Sequence, residues 1–241
     1  MVKDMDKIAK NRLNVFMLVD CSTSMRGERI NQVNNAIKDI KKHLIGIQDE
    51  NANVDFYLTV ITYSTDAFLL NHDKMKPIDE FDFNDIKAGG WSNMHLAYTT
   101  LEGLLKKESK GGIMPDFGGV APIILLLTDG HPTKWPMTDE MNALKKLPWF
   151  RAALKYGIAI ALNDQRTMDV LHDFVGSEGD VIDCYDPRLL EKIIKIIVIT
   201  ASKVKSTTTA INAKGTKEFS VVTEVKQQVQ QALQTVDDWE W

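Results

Sequence analysis

The chain has little sulfur chemistry. Its two cysteines, Cys21 and Cys184, are too few for a disulfide framework and lack the spacing of a metal-binding pair. It has no long apolar run either: the strongest late one, Ile193 to Ile199, is short and carries Lys195, so membrane insertion is not expected. The opening residues, MVKDMDKIAKNRLN, contain no apolar core of a secretory leader. Positive charge is not in excess, since 29 Lys and Arg face 33 Asp and Glu for a net charge of −4. A nucleic-acid partner, which asks for a basic face, is therefore not expected. These absences suggest a reduced, cytoplasmic chain. The remainder is ordinary for a folded protein: 44% hydrophobic and 26% charged over 241 residues, enough for one large domain or two small ones.

Strand-like and helix-like stretches alternate along the chain. Leu13 to Val19 is a continuous apolar run, and Ile30, Val33, Ile37, Ile40, Leu44 and Ile47 then recur at threes and fours, as in an amphipathic helix. Val54 to Tyr63 reads as a strand, Ala67 to Leu70 as a shorter one and Met94 to Leu105 as a helix. Ile123 to Thr128 is apolar without alternation, the pattern of a parallel strand buried on both faces. A helix is expected around Asp139 to Tyr156, a strand at Ile158 to Leu162 and a helix at Met168 to Val175. Val181 to Cys184 gives a last strand, and Leu189 to about Val204 a last helix. The alternation predicts an α/β fold with a doubly wound, mostly parallel sheet and helices on both faces.

Ligands of such sheets bind beyond the carboxyl ends of the strands. Asp20 ends the first strand, and Ser22 and Ser24 follow at alternate positions, which face the same way in extended chain. Thr128-Asp129-Gly130 ends another strand, and Ser92 stands in a glycine-led loop before a helix. If the two strands are neighbours, Asp20, Ser22, Ser24, Ser92 and Asp129 converge. That set is all hard oxygen, which suits Mg²⁺; no Cys or His is spaced for a softer metal. Simpler readings stay open: Ser24 as a helix N-cap, Asp129 as turn chemistry, and His95 and His131 as surface or packing residues. Cys21, pointing away from Asp20, reads as a small buried hydrophobe.

Asp20-Cys21-Ser22-Thr23-Ser24, Ser92 and Thr128-Asp129-Gly130, in this order, resemble the DxSxS, threonine and aspartate motifs of von Willebrand factor A domains. The likeness covers roughly residues 12 to 203. It implies a metal-ion-dependent adhesion site in which Ser22, Ser24 and Ser92 bind Mg²⁺, or alternatively Mn²⁺ or Ca²⁺, through hydroxyls. Asp20 and Asp129 act there through water or hydrogen bonds. Two carboxylates leave a divalent cation able to accept another, and in the family a partner's Asp or Glu takes that place, so the implied role is protein–protein interaction without catalysis. Two departures stand out: serine at 92 lacks the methyl that restricts rotation, and Trp91 is an extra bulky residue before it. Trp91, Asn93, His131 and Trp135 flank the motifs and are candidate rim contacts.

Within the family, Ser22 to Ile30 and Gly89 to Met94 are most similar to the bacterial TerY-type branch. That branch is associated with tellurium-resistance and stress gene clusters and implies a protein kinase and a phosphatase as partners. The alternative class is a Mg²⁺-dependent phosphatase or phosphotransferase of haloacid-dehalogenase type, which needs a carboxylate two residues after Asp20, where Ser22 stands. A serine hydrolase would need a nucleophile elbow, and no G-x-S-x-G occurs.

Residues 1–11 read as an N-terminal arm and 204–241 as a polar linker with an amphipathic segment. In the latter, Val222, Val225, Val229, Ala232, Val236 and Trp239 make one apolar seam. The seam suits a helix docked on its own domain or a short partner-binding segment. The acidic end, Asp237-Asp238-Trp239-Glu240-Trp241, is a candidate tethered ligand for the metal face.

Overall fold

The computed structural model describes residues 11–50, 54–70, 75–160, 164–176, 180–184, 186–207 and 227–231. Six strands form one sheet: β1 Asn11–Asp20, β2 Val54–Tyr63, β3 Ala67–Leu69, β4 Ile123–Thr128, β5 Leu154–Ile160 and β6 Asp180–Cys184, in spatial order β3-β2-β1-β4-β5-β6. All pairings are parallel except β2 with β3, whose antiparallel hairpin closes one edge. The helices are α1 Glu28–Glu50, α2 Met94–Leu105, α3 Thr138–Lys146, α4 Pro148–Ala152, α5 Gln165–Val175 and α6 Leu190–Thr207.

The continuous apolar runs become the central strands. All six residues of β4 are buried, as are the last eight of β1, because helices cover both faces. On one face, Val15, Met17 and Val19 of β1 meet Val33, Ile37 and Ile40 of α1 and Ile193, Ile194 and Ile197 of α6. On the other, Phe16 and Leu18 meet Ala97, Tyr98 and Leu101 of α2 and Leu171 and Phe174 of α5. The chain leaves β1 for β2 on one side, and β4 then joins β1 on the other. The strand order reverses between β1 and β4, which makes their carboxyl ends the ligand-binding crevice of the sheet.

The stretch from Asp139 to Tyr156 departs from the sequence expectation of one helix. α3 stops at Lys146, α4 occupies Pro148–Ala152, and β5 has begun at Leu154. Proline lacks an N–H and disfavours helical geometry at the residue before it; Leu147 is extended (φ −77°, ψ 127°) and Pro148 opens α4. Lys155 disguises the start of β5. It lies buried in the strand, its ammonium donating to the carbonyls of Phe150 (3.2 Å) and Ala153 (3.1 Å).

The helix α6 runs three residues past the expected domain boundary at 204, to Thr207. Residues 227–231 are helical, with Val229 buried in the core beside α1 and α6 and Gln228 Oε1 accepting from Thr200 Oγ1 at 3.0 Å. This part of the seam docks on its own domain. The acidic end, Asp237 to Trp241, lies outside the described residues.

Asn34 ties α1 to the segment that leads into the Gly89-Gly90 loop. Its amide donates to the Ile86 carbonyl (3.1 Å) and accepts from the Ile86 N–H (2.9 Å), all buried. Asn34→Ala leaves both backbone groups unpaired and should cost about 2–3 kcal/mol, read from the denaturant midpoint. A loss below about 0.5 kcal/mol would mean that water replaces the side chain and the tie is dispensable.

Candidate metal centre

Extended geometry carries past β1 for only two residues. Cys21 N–H bonds to the Tyr63 carbonyl (2.9 Å), and Ser22 is still extended (φ −65°, ψ 172°). A short 3-10 turn, Thr23–Met25, follows, so Ser24 reaches the site by that turn and not by strand alternation. Its hydroxyl does not cap a helix: it donates to Asp129 Oδ1 at 2.6 Å and lies 3.0 Å from Ser22 Oγ.

Asp20 is fully buried and accepts three hydrogen bonds. Oδ1 takes the Ser22 N–H (2.8 Å), and Oδ2 takes the hydroxyls of Ser92 and Thr128, each at 2.9 Å. Asp129, one residue beyond β4, receives Ser24 on one oxygen and the Arg29 guanidinium on the other. The pairing of β1 with β4 thus brings Asp20, Ser22, Ser24, Ser92 and Asp129 into one hydrogen-bonded group.

Ser92 is delivered by a loop fixed at several points. Gly89 N–H reaches the Cys21 carbonyl (2.7 Å), and Thr23 clamps Gly90 through its own N–H and its hydroxyl, each at 3.1 Å from the Gly90 carbonyl. Gly90 has φ +91°, and a Cβ there would stand 2.6 Å from Thr65 Oγ1, so both conformation and space require glycine. Thr133 pairs with the Ser92 backbone in both directions, its Oγ1 accepting at 3.1 Å and its N–H donating at 2.8 Å.

An open depression of about 430 Å³ lies over the group, lined by Ser22, Thr23, Ser24, Gly90, Trp91 and Ser92. Trp91 is 68% exposed beside it. The other rim candidates are placed differently. Asn93 donates its amide to the Thr65 carbonyl (2.8 Å). His131 turns toward α5, with Nδ1 3.7 Å from Asp164 Oδ2. Trp135 lines a separate cavity with Tyr98, Met137, Met141 and Val170.

Sequence reasoning missed Thr128, Thr133 and Arg29 as parts of this arrangement. Thr128 was visible only as the neighbour of Asp129. Arg29 carried a fainter signal, a cation in the first turn of α1, where the helix dipole disfavours it.

The donor set fits a small, hard divalent cation. Three hydroxyls and two carboxylates gather there, and among the described residues no three His, Cys, Asp or Glu cluster in the manner of other metal sites. Fold and site together define an α/β domain with an oxygen-rich centre at the switch point of its sheet. The chain belongs to the von Willebrand factor type A domain family, whose model matches residues 14–195.

No curated protein matches the sequence. Among solved structures, the chain is similar to a von Willebrand factor type A protein from Catenulispora acidiphila (TM-score 0.59, 14% identity, 80% of this chain and 43% of that one). It is also similar to the ArnB paralog VWA2 from Sulfolobus acidocaldarius (TM-score 0.51, 20% identity, 78% and 45%). A third is proximal thread matrix protein 1 from the mussel byssus, in a form with a zinc-occupied MIDAS motif (TM-score 0.55, 16% identity, 80% and 48%). This chain spans less than half the length of each of these, and the likeness establishes the shared fold.

Burial pushes the Asp20 carboxyl above its ordinary value of 3.8, and the hydrogen bonds from Ser22, Thr128 and Ser92 oppose that only in part. A pKa higher in the folded than in the unfolded state means that the native protein holds this proton longer. The group therefore removes stability as pH rises from its unfolded value through its folded one. In metal-free protein, the Tm of wild type relative to Asp20→Asn should fall as pH is raised and then level off. Added Mg²⁺ should restore wild type and leave the variant unchanged. A Tm difference independent of pH would show that burial does not disfavour the charged form.

Proposed function

We propose that Asp20, Ser22, Ser24, Ser92 and Asp129 hold one divalent cation, and that this cation accepts an Asp or Glu from a partner protein. Mg²⁺ is the preferred ion, with Mn²⁺ or Ca²⁺ as alternatives. The observation that carries the reading is the hydrogen-bonded group of three hydroxyls and two carboxylates beneath an open depression. The hydroxyls are neutral and add no negative charge, so Asp20 and Asp129 are the only anionic members of the set. Metal held in this way acts as a bridge between proteins.

The finer assignment is a cytoplasmic TerY-type component of a stress or tellurium-resistance phosphorylation system, with a kinase and a phosphatase as partners. It is supported by the likeness of Ser22 to Ile30 and Gly89 to Met94 to that branch. The chain is not an enzyme on this reading. Phosphoryl transfer of haloacid-dehalogenase type is disfavoured because Ser22 occupies the place of the second acid, and turnover of a generic phosphatase substrate would reverse the assignment. Trp91 supplies an exposed aromatic surface next to the cation. Affinity purification with Mg²⁺ and with chelator should yield partners only in the first case.

Ser22→Ala with Ser24→Ala should abolish Mg²⁺ and Mn²⁺ binding by calorimetry while the circular dichroism of the folded chain persists. Ser92→Thr should keep or tighten binding by restricting the rotamer, and Ser92→Ala should weaken it. Unchanged affinity in the double serine variant would remove these residues as the site.

A further inference from the structure

We infer that Arg29 is a built-in counter-charge of this site, weakening its hold on the cation and strengthening the loaded site's hold on a partner carboxylate. The inference rests on the metal reading above and deepens it by naming what sets the preference for an acidic ligand.

Arg29 is the second residue of α1, where a positive charge opposes the helix dipole. Its location is explained by what it touches. One guanidinium nitrogen donates to the Ser24 carbonyl (3.3 Å) and also reaches Asp129 Oδ2. The Asp129 side chain is fully buried, while that of Arg29 is 30% exposed. The ion pair therefore joins an inaccessible carboxylate to a cation that still faces solvent. The other oxygen of Asp129 is taken by the Ser24 hydroxyl.

Without Arg29, the charge at the site would be −2, from Asp20 and Asp129. With it, the charge is −1. Lys134 is offset by its partner Glu140, and Arg26, whose guanidinium donates to the Ala88 carbonyl (3.2 Å), keeps its charge but pairs with neither site carboxylate. A divalent cation entering the native site leaves a net charge of +1, and one external carboxylate completes neutrality. The same cation entering a site stripped of Arg29 is already neutralised and attracts a carboxylate less. Coulomb interactions between groups this close and partly buried are strong enough to matter.

A counter-charge and a structural brace make opposite forecasts for the cation alone. If Arg29 only braces the Thr23–Met25 turn, its loss should weaken cation and carboxylate binding together. If it acts through charge, its loss should tighten the first and weaken the second.

Arg29→Gln keeps hydrogen-bond donors and removes the charge; Arg29→Lys keeps the charge and changes the shape. The full chain is titrated with Mn²⁺, read by electron paramagnetic resonance, and the loaded protein is then titrated with an Asp-containing pentapeptide and its Asn counterpart. Arg29→Gln should raise Mn²⁺ affinity about fivefold or more and lower Asp-peptide affinity by a similar factor, the lower end of usual site-to-site coupling. Arg29→Lys should stay within about twofold of wild type on both axes. Should Arg29→Gln fail to fold, Arg29→Met, also uncharged and long, is read in the same way. Parallel losses in both affinities, or no change in either, would overturn the inference while leaving the metal site standing. Folded wild type that binds no Mn²⁺ would remove the metal reading and this inference with it.

Discussion

The carboxylate of Asp20 sits at the carboxyl end of the central strand, out of contact with water, and three separate parts of the chain turn donors toward it. Ser22 gives a backbone N–H, Ser92 a hydroxyl from the glycine loop and Thr128 a hydroxyl from β4. Hydrogen bonds to the carboxylate favour its charged form, while burial away from water disfavours it and is the larger effect here. The balance is unfavourable enough to raise the pKa of Asp20. The site is thus assembled around a charge that the protein alone satisfies incompletely, and a divalent cation beside it would supply what is missing.

The remainder of the architecture serves this convergence. Parallel pairing of β1 with β4 sets Val19 opposite Leu127, which places Asp20 and Thr128 side by side. Tyr63 fastens the same corner from β2, its hydroxyl donating to the Leu127 carbonyl at 3.1 Å. Asn34 anchors the approach to the glycine loop, and Thr23 and Thr133 hold the loop on either side of Ser92. Ordinary backbone and hydroxyl contacts therefore fix the positions of the candidate ligands. Such preorganisation reduces the ordering that binding would otherwise require.

Much of this was legible in the residue order. Central parallel strands buried on both faces must be continuously apolar, so Leu13 to Val19 and Ile123 to Thr128 announced themselves, and the motif residues followed directly from the strand ends. The start of β5 was hidden because Lys155 and Tyr156 resemble a helix surface, although Pro148 marked the break. Strand alternation does not explain how Ser24 comes to lie beside Asp129, since the chain turns after Ser22. Arg29 was not legible as a site residue because its partner Asp129 lies 100 positions away. Long-range ion pairs leave no periodic trace. Trp135, close to Asp129 in sequence, lines a separate cavity and stays exposed.

The proposed function requires a divalent cation held by the hydroxyls gathered over Asp20. Crystals of the full chain grown with Mn²⁺ and measured for anomalous scattering test it most directly. One anomalous peak is expected, bounded by the side-chain oxygens of Ser22, Ser24 and Ser92 and absent from crystals of the Ser22→Ala, Ser24→Ala variant. A clean structure with no peak there, or with Mn²⁺ bound only elsewhere, would contradict it.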